Sequence, residues 1–375
     1  MFRVEQIHQR PVLILWVTAL SGCLLAACTF PRPATTMSAA GIGSTSSVSQ
    51  LELTAPPSPA VMSSTWTPTV RTTLAPSPAL TTTPTPDPYR DLTIDYLASR
   101  DYGGGELQIV DILQQTSLYT RYIVKYPSDD LDIYGFMNVP LGEGPFPVVI
   151  ALHGYIDPEE YQTLDYTTDN ADAIARAGYL VIHPNLRGYF PSESGPNLFR
   201  VGMAIDVLNL IAIVKEQAGE PGALELADAG FIGLWGHSMG GGITTRVITV
   251  SEDVDAAVLY GSMSGDEKRN FEAILGWSDG ERGIEELSIP ERDLEHISPI
   301  YYLERIQAPV SIHHGGSDEL VPLDWSIEMC DRLQDLGKAV ECFTYDGQPH
   351  TFYGDSEELF NRRVIAFYDR QWKEP

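Results

Sequence analysis

From Tyr119 to the C-terminus the chain alternates short apolar runs with longer stretches of helical spacing. Tyr119 to Tyr126 and Leu131 to Val139 read as extended, separated by the turn Pro127-Ser128-Asp129-Asp130. Pro147 to Leu152 is a continuous apolar run, as expected for a strand buried on both faces of a sheet. The rhythm then changes. Thr168 to Ala177 is helical and stopped by Gly178, and Tyr179 to His183 returns as a strand. Pro196 to Gln217 is a helix with an apolar stripe through Val201, Ile205, Leu208, Ile211 and Val214. Phe231 to Trp235 is a strand, followed by a helix from Ser238 to about Val250 and the strand Ala256 to Tyr260. The strand Pro309 to His313, the helix Leu323 to Leu336, the strand Val340 to Tyr345 and the helix Ser356 to Trp372 complete the series. This alternation predicts an α/β fold, a mostly parallel eight-stranded sheet with helices on both faces. Residues 89–117, with Leu107 to Ile112 extended, form a lead-in before that sheet. Residues 261–308 interrupt the alternation and are expected to form a cap or rim over a site, or an ordinary pair of surface helices.

The first part of the chain is patterned differently. Met1 to Arg10 holds two arginines and Pro11 to Ala27 is uncharged and mostly apolar, the layout of a secretory signal. Leu25-Ala26-Ala27-Cys28 has the small-residue pair and cysteine of a bacterial lipidation box, and Leu20-Ser21-Gly22-Cys23 is the alternative. Residues 1–28 are thus expected to be a lipoprotein-type signal, with Cys28 (or Cys23) tying the protein to a membrane through a lipid anchor. The body is then extracytoplasmic, anchored or secreted. Residues 29–88 are rich in Pro, Thr and Ser, bury too little to fold, and read as an extended tether. Residues 89–375 are expected to form one folded domain.

Charge sharpens the choice of partners. The chain carries -27, and residues 1–88 contribute +1 of it, so the domain itself holds -28. Such a surface repels phosphate backbones, which argues against nucleic acid. No Cys/His spacing suggests a metal, and no cofactor is expected. Cys330 on a helix and Cys342 on the next strand are placed either to form a disulfide or to remain free thiols.

The candidate chemistry lies in Gly236-His237-Ser238-Met239-Gly240, a G-x-S-x-G turn between an apolar strand and a helix. A serine hydroxyl becomes a nucleophile only when a base takes its proton and an acid orients that base. In one recurring chain order the acid and then the histidine follow the serine. Asp318 lies just beyond the strand Pro309 to His313, and His350 just beyond the last strand, so both belong to the sheet edge that carries Ser238. Asp266, after the preceding strand, is the rival acid. Two backbone N–H groups are needed for the oxyanion. Met239 follows the serine at the start of its helix, and Tyr155 lies in His153-Gly154-Tyr155 after the strand Pro147 to Leu152.

Taken together, His153-Gly154, Asn185-Leu186-Arg187-Gly188, Gly236 to Gly241, Gly315 to Pro322 and His350 resemble the catalytic domain of the prolyl oligopeptidase family within the α/β-hydrolase superfamily. The resemblance runs from about Tyr119 to the C-terminus. It implies cleavage of peptide, amide or ester bonds through an acyl-enzyme, with Ser238, Asp318 and His350 as triad. His-Gly-Tyr stands where His-Gly-Gly is common, and only the tether and lead-in stand where a β-propeller often does. The domain is also similar to dienelactone-hydrolase-like and acetyl-esterase-like proteins. The expectation is an exported serine hydrolase acting on a peptide or ester. The alternatives are a carboxylesterase or acetyl esterase acting on small or polysaccharide-linked esters, and a non-catalytic binding protein of the same fold.

Overall fold

The computed structural model describes residues 87–373. The signal segment, Cys23, Cys28 and the tether up to residue 86 lie outside the described residues. Nine strands build one sheet: β1 Gln108–Gln115, β2 Tyr119–Ser128, β3 Leu131–Pro140, β4 Phe146–Leu152, β5 Leu180–Pro184, β6 Ala227–His237, β7 Ala256–Tyr260, β8 Val310–Gly315 and β9 Val340–Tyr345. The helices are α1 Ile94–Ser99, α2 Thr168–Arg176, α3 Val201–Gln217, α4 Met239–Val250, α5 Glu267–Trp277, α6 Glu291–Ile297, α7 Leu323–Asp335 and α8 Asp355–Lys373.

The strand order is β1-β2-β3-β5-β4-β6-β7-β8-β9. The pairs from β1 to β5 are antiparallel and those from β5 through β4 to β9 are parallel. Strand β4 shows why its run is apolar without a break. Val148, Ile150 and Leu152 face the cluster built with α3, α4 and α7, whereas Val149 and Ala151 face the one built with α2 and α8. A strand covered on both faces has no polar side to display.

The eight expected strands are all present, and a ninth joins them. β1, from the lead-in, pairs antiparallel with β2 at the sheet edge, and its whole length is exposed. The helix expected from Pro196 begins at Val201 instead, after a tight turn over Leu198–Arg200. There Phe199 and Arg200 take left-handed φ values of 51° and 60°. The cause is tertiary. The Phe199 N–H donates to the Glu286 carboxylate at 2.7 Å, and the Phe199 ring packs with Leu97, Phe271 and Leu294.

Cys330 of α7 and Cys342 of β9 form a disulfide with 6.4 Å between Cα atoms. Closing a loop of this length removes about 3 kcal/mol of unfolded-state entropy. Cys342→Ser is expected to lower unfolding free energy by about 2–3 kcal/mol under oxidising conditions; equal urea midpoints for variant and parent would contradict a stabilising bridge.

Buried histidines cluster at the C-terminal ends of the parallel strands: His153 after β4, His183 in β5, His237 in β6 and His313 in β8. Burial lowers His183, His237 and His313 to about 3 and lowers His153 as well. Since an unfolded histidine titrates near 6.5, the unfolded chain binds more protons than the folded one below that pH. Their stabilising contribution is full above about pH 6.5 and is lost as pH falls toward 3, at about 1.4 kcal/mol per pH unit for each ring kept neutral. Chemical-denaturation midpoints are therefore expected to drop between about pH 7.5 and about pH 5.5. A pH-independent midpoint over that window would count against neutral burial.

Candidate active site

Ser238 ends the run of β6 and caps α4 with φ 54° and ψ −114°, a conformation that is strained for a residue with a side chain. Four backbone bonds hold it there. Its N–H donates to Tyr260 O at 2.9 Å, while its carbonyl accepts from the N–H groups of Gly241, Gly242 and Met263. The flanking glycines follow from close approach. A Cβ on Gly236 would stand 2.3 Å from the Gly240 carbonyl oxygen, and one on Gly240 would stand 2.3 Å from that of Leu152.

Asp318 lies in the loop after β8, fully buried, and its Oδ2 is 2.7 Å from His350 Nδ1. Its Oδ1 accepts the N–H groups of Leu320 and Val321, both at 2.9 Å. His314 Nε2 approaches Oδ2 at 3.2 Å. Burial by itself would raise the Asp318 pKa, but the hydrogen bonds from His314, His350 and Val321 outweigh it and hold the carboxyl well below its usual range. With Nδ1–H of His350 given to an ionised carboxylate, Nε2 carries the lone pair of the neutral ring. His350, Ser238, Met239 and Tyr155 line one cavity of about 840 Å³. The sequence-selected residues are thus brought together. Asp266, the rival acid, is not among them: its carboxylate caps α5 at Lys268 N and pairs with Arg269 at 3.7 Å.

A directional chain of hydrogen bonds ties these loops to one another. Gly154 N–H donates to Tyr166 Oη at 3.0 Å, and Tyr166 Oη is 2.8 Å from His237 Nδ1. His237 Nε2 is 3.0 Å from His350 O. Nε2–H donates to the carbonyl, and in a neutral ring Nδ1 then accepts the tyrosine hydroxyl proton. Burial lowers the His237 pKa to about 3, which keeps the ring neutral. Tyr166 takes the Gly154 N–H, whereas the next one along, Tyr155 N–H, stays open; so does Met239 N–H at the first turn of α4, where helix geometry supplies no acceptor. Among the described residues neither group has a hydrogen-bond partner.

Tyr166 and His314 were missed by sequence reasoning. Tyr166 sits in a loop without periodicity, and nothing local marks it. The pair His313-His314, four residues before the acid, was the available signal for the second. The segment 261–308 contributes Met263, Ile274, Trp277, Arg282 and Glu286 to the cavity wall, so it borders the site as a rim. Its contact with the loop after β4 is direct: the Trp277 ring lies 5.6 Å from that of Tyr155, and Arg282 pairs with Asp157 at 2.7 Å. Among the described residues no group of three or more His, Cys, Asp or Glu side chains converges as a metal site requires.

This architecture has known relatives. In fold, acetyl xylan esterase 1 from Thermoanaerobacterium sp. JW/SL YS485 matches with a TM-score of 0.55 at 18% identity, over 75% of this chain and 92% of its own. The acylaminoacyl peptidase of Pyrococcus horikoshii matches with a TM-score of 0.52 at 21% identity, over 74% of this chain and 51% of its own. In sequence, a protein of Escherichia coli (strain K12) provisionally named carboxymethylenebutenolidase is 25% identical over 248 residues, which is 62% of this chain and 82% of that protein. The fold is that of the α/β hydrolases, with esterases and peptidases alike among its structural neighbours. The model of the dienelactone hydrolase family matches residues 133–374, from β3 through the closing helix and across every loop described above, and the chain belongs to that family of hydrolases.

Proposed function

We propose that the protein is an exported serine hydrolase that cleaves esters through an acyl-enzyme. The observation that carries this reading is the 2.7 Å bond from buried Asp318 to His350, in a cavity shared with a serine held in a strained turn. His350 Nε2 takes the Ser238 proton as Oγ attacks the ester carbonyl carbon. The tetrahedral oxyanion accepts hydrogen bonds from Met239 N–H and Tyr155 N–H, and the dipole of α4 adds to the first. As the intermediate collapses, the bond to the alcohol oxygen breaks and His350 returns the proton to the leaving alcohol. Water then attacks the acyl-serine by the same route, giving its proton to His350 and releasing the acid and free Ser238.

A peptidase of the prolyl oligopeptidase type would use the same three residues. The ester reading is favoured by the match to the dienelactone hydrolase family, a lactone being a cyclic ester. Export, with lipidation at Cys28 or at Cys23, rests on the sequence pattern of residues 1–28.

A fluorophosphonate probe is expected to label Ser238, with neither label nor turnover in Ser238→Ala; a labelled alanine variant, or an unlabelled parent that folds, would sink the hydrolase reading. Asp318→Asn is expected to lower kcat by about 10³–10⁴-fold, as loss of the orienting acid does elsewhere, and near-normal activity would return the role to another carboxylate. Tyr166→Phe removes the proton that bridges the oxyanion loop to His237. It is expected to lower kcat about 10-fold, the effect of losing one hydrogen bond of about 1.4 kcal/mol from the positioning of the transition state, with KM little changed. An increase in KM alone would assign Tyr166 to substrate binding instead.

A further inference from the structure

The wall of the cavity carries apolar side chains, neutral polar ones such as Asn197 and Thr351, and four charged ones. Met203, Met263, Ile274, Trp277, Leu320 and Trp325 present apolar and aromatic surface. The charged side chains in the wall are Arg187, Arg200, Arg282 and Glu286; each arginine is paired within the protein, whereas Glu286 is bonded through Oε1 and leaves Oε2 without a partner among the described residues. Arg187 binds Asp206 at 2.7 Å through its Nη2, and Asp206 is fully buried. Arg200 binds Glu267 and stands 4.0 Å from Glu286, while Glu267 is shared with buried Arg246. Two arginines thus face two carboxylates. Arg282 binds Asp157 at 2.7 Å and covers the Tyr155 ring at 5.0 Å.

This pairing decides what the site accepts. A substrate carboxylate would meet arginines whose charge is already balanced by Asp206, Glu267 or Asp157, and displacing buried Asp206 or Glu267 would strand a carboxylate, which costs several kcal/mol. It would also approach a chain of net charge -27. A neutral apolar group meets neither obstacle and gains by leaving water. The size points the same way, since about 840 Å³ is room for a drug-sized group and far more than a two-carbon acyl chain fills. The aromatic wall also borders the proposed oxyanion loop, because the Trp277 ring lies 5.6 Å from that of Tyr155.

We propose that the site takes neutral esters with a bulky apolar acyl or alcohol part, an aromatic ring above all, and discriminates against esters that carry a carboxylate. The inference rests on the serine hydrolase reading. It separates this chain from the relative whose name specifies a carboxymethylene lactone.

The test compares kcat/KM of the full-length protein for ethyl 3-phenylpropanoate, 2-phenylethyl acetate, ethyl acetate and monoethyl succinate. At least one phenyl ester is expected to exceed ethyl acetate by about 10- to 100-fold, the range for burying a ring of that size, and monoethyl succinate to fall below ethyl acetate. Trp277→Ala is expected to cut the phenyl-to-acetate ratio about 10-fold. Preference for ethyl acetate over both phenyl esters, or monoethyl succinate turned over as fast as the better phenyl ester, would overturn the proposal. Calorimetry on Ser238→Ala keeps it testable apart from turnover: 3-phenylpropanamide is expected to bind at least about 10-fold more tightly than succinate, and the reverse order would refute the inference even if every ester were hydrolysed. Failure of fluorophosphonate labelling with the binding order intact would instead refute the hydrolase reading alone.

Discussion

The structure turns on the left-handed backbone of Ser238. A residue with a side chain in that region costs about 1–3 kcal/mol and persists only where its surroundings over-determine it. Here they do. Its N–H and carbonyl are both committed, to β7 on one side and to α4 and the β7–α5 loop on the other, and Gly240 lies directly against the carbonyl of Leu152 at the end of β4. The turn cannot relax without parting β4 from α4. Ser238 and the loop that follows β4 are therefore tied to the same core.

Polar pairing carries that rigidity outward. The chain from Gly154 through Tyr166 and His237 to the carbonyl of His350 has a fixed sense of donation, so each member specifies the protonation of the next. The insertion between β7 and β8 works by charge. Buried Arg200, Arg246, Glu267 and Glu286 balance one another, and removing any one strands a charge. Networks of this kind add little net stability against an apolar alternative, and what they supply is geometry. In this molecule the geometry is that of Phe199, held at the start of α3, and of Glu286 and Trp277 in the cavity wall.

Most of the fold is legible in the chain because its strongest signals are local. Parallel strands such as β4 and β7 are buried on both faces and read as unbroken apolar runs. The strand β1 reads as extended, yet nothing in its exposed residues says whether it joins the sheet, since its partner is chosen at the edge of β2. The start of α3 is displaced by a carboxylate far along the chain. Asp266 and Asp318 both follow strands and look equivalent in sequence; one turns back to cap α5, and the other is buried beside His314 and His350.

The sequence by itself determined the order of elements, the elbow and the side chains with the chemistry for acyl transfer. It did so because helix and strand periodicities and the glycine requirement of a tight turn are properties of neighbouring residues. Only the tertiary structure decided which carboxylate meets His350, that Cys330 and Cys342 are joined, that Tyr166 spans two loops, and that every arginine in the cavity wall is already paired. Those facts depend on side chains far apart in sequence, whose hydrogen bonds and ion pairs exist only once the sheet has brought its strand ends to one edge.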